Sequence, residues 1–159
     1  MMKKSSITPK DDLPQHLGHK PVYAMPYQFF DGSPKGNTDS RYLSVGLAQW
    51  NQDDVSIKIM RHTGIRWTRQ AEELPLNRAI DITLFLAHVL TESGGEIIHI
   101  KPGTFDNQKE ELTSGRDVNR SATEIAQFDT FMDQHEEHLK QRLNTLADYL
   151  FELRANGKL

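Results

Sequence analysis

No cysteine occurs in the 159 residues. That absence removes disulfide frameworks, thiol nucleophiles and cysteine-ligated zinc, and it suits a reducing compartment. Long apolar runs are missing too. The longest, Leu76 to Leu90 (LNRAIDITLFLAHVL), is interrupted by Asp81 and His88, and it falls short of the roughly 20 residues a bilayer-spanning helix needs. The opening MMKKSSITPKDD has lysines with no apolar stretch behind them, so no secretory signal is expected and a cytoplasmic address is. Only 36% of residues are hydrophobic, which points to exposed ends and loops around one core. A net charge of -3 argues against a chain that is strongly basic throughout. No Gly-rich phosphate loop, nucleophile elbow or dinucleotide fingerprint is present. No catalytic residue is therefore assigned, no cofactor or metal is expected, and a non-enzymatic module is favoured over an enzyme.

What the chain does contain is organised by period. Residues 1–20 lack any and read as a mobile arm, leaving 21–159 as a single domain. In Pro21 to Phe30 (PVYAMPYQFF), Pro26 excludes a regular helix and a central strand, so this stretch is expected to lie extended along a sheet edge. Successive turns follow over Asp31 to Ser40. From Arg41 to Trp50 the alternation places Leu43, Val45 and Leu47 on one face. After the polar Asn51 to Asp54 turn, Val55, Ile57 and Ile59 alternate in the same way. His62 to Gly64 reads as a turn, and Ile65 to Gln70 (IRWTRQ) as a third strand. The result is an antiparallel meander with one apolar face.

The Leu76 to Glu92 segment carries apolar residues around most of a helical wheel, which predicts a buried central helix, capped by Asn77 and stopped by Ser93-Gly94-Gly95. Glu96 to Ile100 is expected to extend the sheet, and a long mobile loop to fill 103–120. Ser121 to Arg154 reads as a helix opened by a capping box of Ser121 and Glu124. Such a helix is about 50 Å long, so either it breaks near His135 to His138 or its overhang pairs with another chain. The fold class is therefore α+β: an antiparallel β-meander packed on a buried central helix, with a long C-terminal helix.

Two His-x-x-His spacings occur, His16 with His19 and His135 with His138, and neither has the spacing and further ligand of a zinc site. His88 and His99 read as hydrogen-bonded structural histidines. Glu72 and Glu73 suit the positive end of the helix that follows them. The meander is the more suggestive region. Between Arg41 and Gln70 five basic side chains face only Asp53 and Asp54, a net charge of +3, which leaves -6 for the remainder of a chain at -3. These cations are interleaved with Tyr42, Trp50 and Trp67, the combination that single-stranded nucleic acid requires. Lys58, Arg61, Arg66, Trp67 and Arg69 are the candidate binding residues.

SRYLSVGLAQW, VSIKIMRH and RWTRQAEELPLNRAIDITLFLA together resemble the single-stranded-DNA-binding transcriptional coactivator (positive cofactor four) family. The matching positions are Arg41, Tyr42, Ser44 and Val45, then Ile57, Ile59 and Arg61, then Arg66, Arg69 and Leu76. The resemblance implies a dimeric sheet-and-helix module that binds single strands. LSVGLAQW and RQAEELPLNR are also similar to an uncharacterised bacterial family of cytoplasmic proteins. The alternative function is an inhibitor or immunity-type protein that meets a protein partner through its C-terminal helix. A homodimer is compatible with either, and no membrane association is expected.

Overall fold

The computed structural model describes residues 9–31, 38–70, 72–92 and 97–159. The chain is α+β, as expected, and divides into two compact units, Met1–Ile80 and Asp81–Leu159. Part of the Asp31 to Ser40 turn region and the Ser93-Gly94-Gly95 stop lie outside the described residues.

The first unit is a four-stranded antiparallel sheet in the order β1 (Lys20–Pro26), β2 (Ser40–Leu47), β3 (Val55–Arg61) and β4 (Glu73–Pro75). Prolines cannot donate to a ladder, so Pro21 and Pro26 are tolerated because β1 is an edge. β1 shifts register between Pro21 and Tyr23. It approaches β2 so closely that a Cβ on Gly46 would lie 2.0 Å from the Lys20 carbonyl oxygen. Only glycine fits there.

The alternation in β2 and β3 is as expected, but the covered face is the opposite one. Tyr42, Ser44 and Gly46 are buried with Ser56, Lys58 and Met60, while Val45 and Val55 are exposed. The cover comes from the segment expected to be a loose arm. Pro9, Pro14, Leu17 and His19 are buried, and Leu17 joins Tyr42 and Met60 in a cluster flanked by Leu13 and Trp67. Alternation defines two faces without saying which one another segment will reach.

The third strand is also displaced. Residues 65–70 make a single bridge, His62↔Trp67, and β4 takes the place beside β3, pairing Ser56 with Pro75 and Lys58 with Glu73. Thr63 explains this local choice. Its Oγ1 accepts the Arg66 N–H at 3.2 Å and its own N–H donates to the Arg66 carbonyl at 2.9 Å, so the chain closes into a loop despite the β propensity of Ile65 and Trp67. Gly64, at φ +95°, supplies the left-handed residue of that loop.

α1 (Leu76–Glu92) follows β4 without a break, so Asn77 lies inside the helix and is no cap. Leu90 is its only buried residue, and Ile80, Ile82 and Leu86 are exposed. The expectation of a buried central helix is corrected here: apolar residues around a whole circumference measure how much apolar surface a helix carries, not whether anything covers it.

In the second unit β5 (Ile98–Ile100) pairs antiparallel with β6 (Leu112–Ser114) as a separate two-stranded sheet, so it does not extend the first. Ile98 and Ile100 are buried, and His99 between them bonds Glu111 at 3.0 Å. The stretch expected to be a long mobile loop thus contains a strand. It also has internal order, since the Gln108 amide donates to the Ile100 and Glu110 carbonyls. Arg116 forms a two-pronged bond with Asp129 at 2.6 and 3.0 Å. α2 (Ala122–Ala155) runs 34 residues unbroken, with both halves of the Ser121–Glu124 capping box made. It holds through His135 to His138, where the His135 ring packs on Phe131 at 4.4 Å.

Candidate functional site

The five residues expected to bind nucleic acid separate into three environments. Lys58 is 3% exposed; its Nζ lies 3.4 Å from Glu73 Oε2 and 3.4 Å from the Arg69 carbonyl. Its side is the covered side of β3, so its place on an open sheet face is corrected. Arg61 is taken up by two carboxylates, Asp39 at 3.0 Å and Glu72 at 2.6 Å. Its guanidinium is held more firmly charged than usual, first by the Asp39 hydrogen bond.

Arg66, Trp67 and Arg69 are brought together by the loop after β3. With His16, His62, Thr63, Ile65, Thr68 and Gln70 they line an open cleft of ≈ 920 Å³. Among the described residues the Arg66 and Arg69 side chains enter no ion pair. The Trp67 ring is fixed from behind: it meets Tyr42 at 6.2 Å between centroids and the edge of His62 at 5.0 Å, and it packs on the Leu17–Met60 cluster. His62 Nδ1 accepts the Gly64 N–H at 3.1 Å. On the segment that carries His16, Asp11 bonds Arg41 at 2.9 Å, which holds its carboxyl below the usual range. The cleft therefore joins an aromatic ring held by its neighbours to two arginines.

Beneath the sheet lies a second group that sequence reasoning missed. His19 is bonded to Ser44 Oγ at 3.0 Å through Nε2 and to Ser56 Oγ at 2.9 Å through Nδ1. Glu73 Oε1 stands 3.3 Å from Nδ1, accepts the Ser56 hydroxyl at 2.7 Å and takes the Gln49 N–H at 3.0 Å. Burial pushes the Glu73 carboxyl up, but the Gln49 and Ser56 hydrogen bonds and the Lys58 and His19 charges together bring it below its ordinary value. Ser44, His19 and Glu73 have the connectivity of a hydrolase triad. Ser44 is nevertheless 5% exposed, and its hydroxyl is committed to the Lys58 carbonyl at 3.0 Å, so with the segment docked it is covered. The signal available in the sequence was the inward polar alternation of Ser44 with Ser56 and Lys58.

A model of a family of unknown function, DUF6530, matches residues 12–155. The chain belongs to the DUF6530 family. No curated protein and no solved structure matches it. The match begins within the segment that covers the sheet and ends at the close of α2, so in this DUF6530 chain the family region takes in most of both compact units. Among the described residues no helix is long and apolar enough to cross a membrane.

Proposed function

We propose that this chain is a non-enzymatic module that binds single-stranded nucleic acid in the cleft beside the 62–70 loop. The observation that carries the reading is that Arg66, Arg69, His16 and His62 line one open cleft of ≈ 920 Å³ together with Trp67. Two guanidinium groups that enter no ion pair among the described residues suit phosphate oxygens, and a fixed indole ring suits a base. The cleft replaces the sheet face as the binding surface, because Lys58 and Arg61 are occupied by Glu73, Asp39 and Glu72. The resemblance of residues 40–90 to single-strand-binding coactivators agrees with the ligand class. Fluorescence anisotropy with labelled oligonucleotides at about 50 mM salt tests it, where phosphate contacts are strongest. Absence of binding at micromolar protein removes the reading.

A second reading has its own observation. α2 buries no residue, and Leu146, Tyr149, Leu150 and Phe151 are exposed near its C-terminus. Aromatic and aliphatic residues gathered in this way suit a protein partner, as an inhibitor or immunity-type module or a homodimer would require. Loss of a complex on Tyr149→Ala with oligonucleotide binding intact would favour it.

A further inference from the structure

His19 ends the segment that covers the sheet, is 1% exposed, and has both ring nitrogens bonded. Nε2 meets Ser44 Oγ on β2 and Nδ1 meets Ser56 Oγ on β3. Both hydroxyls also have other acceptors: Ser44 donates to the Lys58 carbonyl at 3.0 Å and Ser56 to Glu73 Oε1 at 2.7 Å. A hydroxyl has one hydrogen to give. Ser44 therefore receives its bond from Nε2–H. With a neutral ring, Nδ1 and Glu73 then compete for the single hydrogen of Ser56. A protonated ring satisfies every bond, because Nδ1–H donates to Ser56, but it adds a second cation where Lys58 already offsets Glu73.

Hydrogen-bond count and charge thus oppose one another at this site. Among the described residues, the charged groups facing the ring are Glu73 of β4 and Lys58 of β3, and β2 presents only the neutral Ser44. Burial is the largest influence and disfavours the imidazolium; Glu73 counters it and Lys58 adds to it, leaving the group below its ordinary 6.5.

We propose that His19 is a proton-sensitive latch, whose protonation in mild acid releases residues 9–19 from the sheet and withdraws His16 from the wall of the cleft. The sign follows from linkage. A ring that binds its proton less tightly when docked favours docking fully above 6.5, and this contribution is lost as pH falls through the lower docked value. Between the two values the released population rises by up to about tenfold per pH unit. The same segment is also held from the 62–70 loop, where His62 Nδ1 lies 3.5 Å from Asp11 Oδ1. Release of the segment does not depend on what the cleft binds; only its effect on binding rests on the proposed function.

Hydrogen exchange on the ligand-free full chain, corrected for intrinsic rates, tests the latch between about pH 7.5 and 5.5. Amides 9–19 should lose protection by up to about tenfold per pH unit while β2 and β3 keep theirs. His19→Gln should abolish that difference. Should the variant not fold, ring-nitrogen NMR of the wild type replaces it: His19 should titrate below 6.5, with the midpoint of segment release at its own. Unchanged protection across this range, release at a different midpoint, or an equal loss in His19→Gln would overturn the proposal.

Discussion

Lys58 Nζ lies 3.4 Å from Glu73 Oε2, with 1% and 2% of the two side chains exposed. Removing one member of such a pair strands the other charge away from water, which costs about 3–5 kcal/mol. Lys58→Met should therefore lower stability by about that amount in urea unfolding. Adding Glu73→Gln should recover part of the loss, because the amide still accepts from Gln49 and Ser56 but carries no charge. A midpoint for Lys58→Met equal to that of wild type would show that the pair is solvated.

Gly46 tests the close approach of β1. An added methyl would meet the Lys20 carbonyl oxygen at 2.0 Å, and that obstacle is backbone. Gly46→Ala should cost about 3 kcal/mol or more, the upper end of overpacking penalties. Thermal melting reads the loss, and a shift within the range of ordinary surface substitutions would mean that β1 pairs differently in solution.

Met60 and Leu84 form an instructive pair, since Met60 is 0% and Leu84 37% exposed. Met60→Ala should cost about 2–5 kcal/mol. Leu84→Ala removes a side chain that is already in partial contact with water and should cost clearly less, by denaturant midpoint. Equal losses would show that α1 is covered in solution, and repeating the melts across a range of protein concentration would separate a second copy from an intramolecular cover.

The features legible in the sequence are those decided locally. The Ser121–Glu124 capping box closes within three residues, and the alternation of Leu43, Val45 and Leu47 needs only the strand period. The covered face depended on partners far along the chain: Ser44 meets His19 across 25 residues and Ser56 meets Glu73 across 17. Polar residues on an inward face look like an outer face until those partners are placed. Lys58 looks exposed for that reason, although it is buried against Glu73. The IRWTRQ stretch has the β propensity of a strand, but the Thr63 side-chain bonds and the left-handed Gly64 close it into a loop. Arg66, Trp67 and Arg69 remained together because they are adjacent in sequence, so any loop that holds Trp67 inward leaves its neighbours at the rim.

Binding through the cleft should discriminate among arginines. Arg66→Ala and Arg69→Ala should each weaken oligonucleotide binding for all sequences alike and reduce the log-log salt slope by about 0.7 per contact. Arg61→Ala should leave the slope nearly unchanged, because that guanidinium is held by Asp39 and Glu72. Anisotropy titrations at several salt concentrations measure this directly. An Arg61 effect equal to that of Arg66 would return the contact surface to the sheet.

Acid should act on the first unit through Glu73 at lower pH than through His19. The carboxyl is pushed up by burial but brought below 4.5 by the Gln49 and Ser56 bonds and the Lys58 and His19 charges. A carboxylate with a depressed folded value binds protons more readily when unfolded. Its stabilisation is therefore fully present above about 4.5 and disappears as pH falls through the folded value. Glu73→Gln has no proton to take up, so its unfolding free energy should run flatter than that of wild type below pH 4.5, although it is lower at neutral pH because Lys58 is left without its counter-charge. Urea unfolding of both proteins from neutral pH to about pH 3 supplies the two curves. Parallel curves would mean that Glu73 titrates alike in the folded and unfolded states, and the buried network would then contribute nothing to the acid sensitivity of this fold.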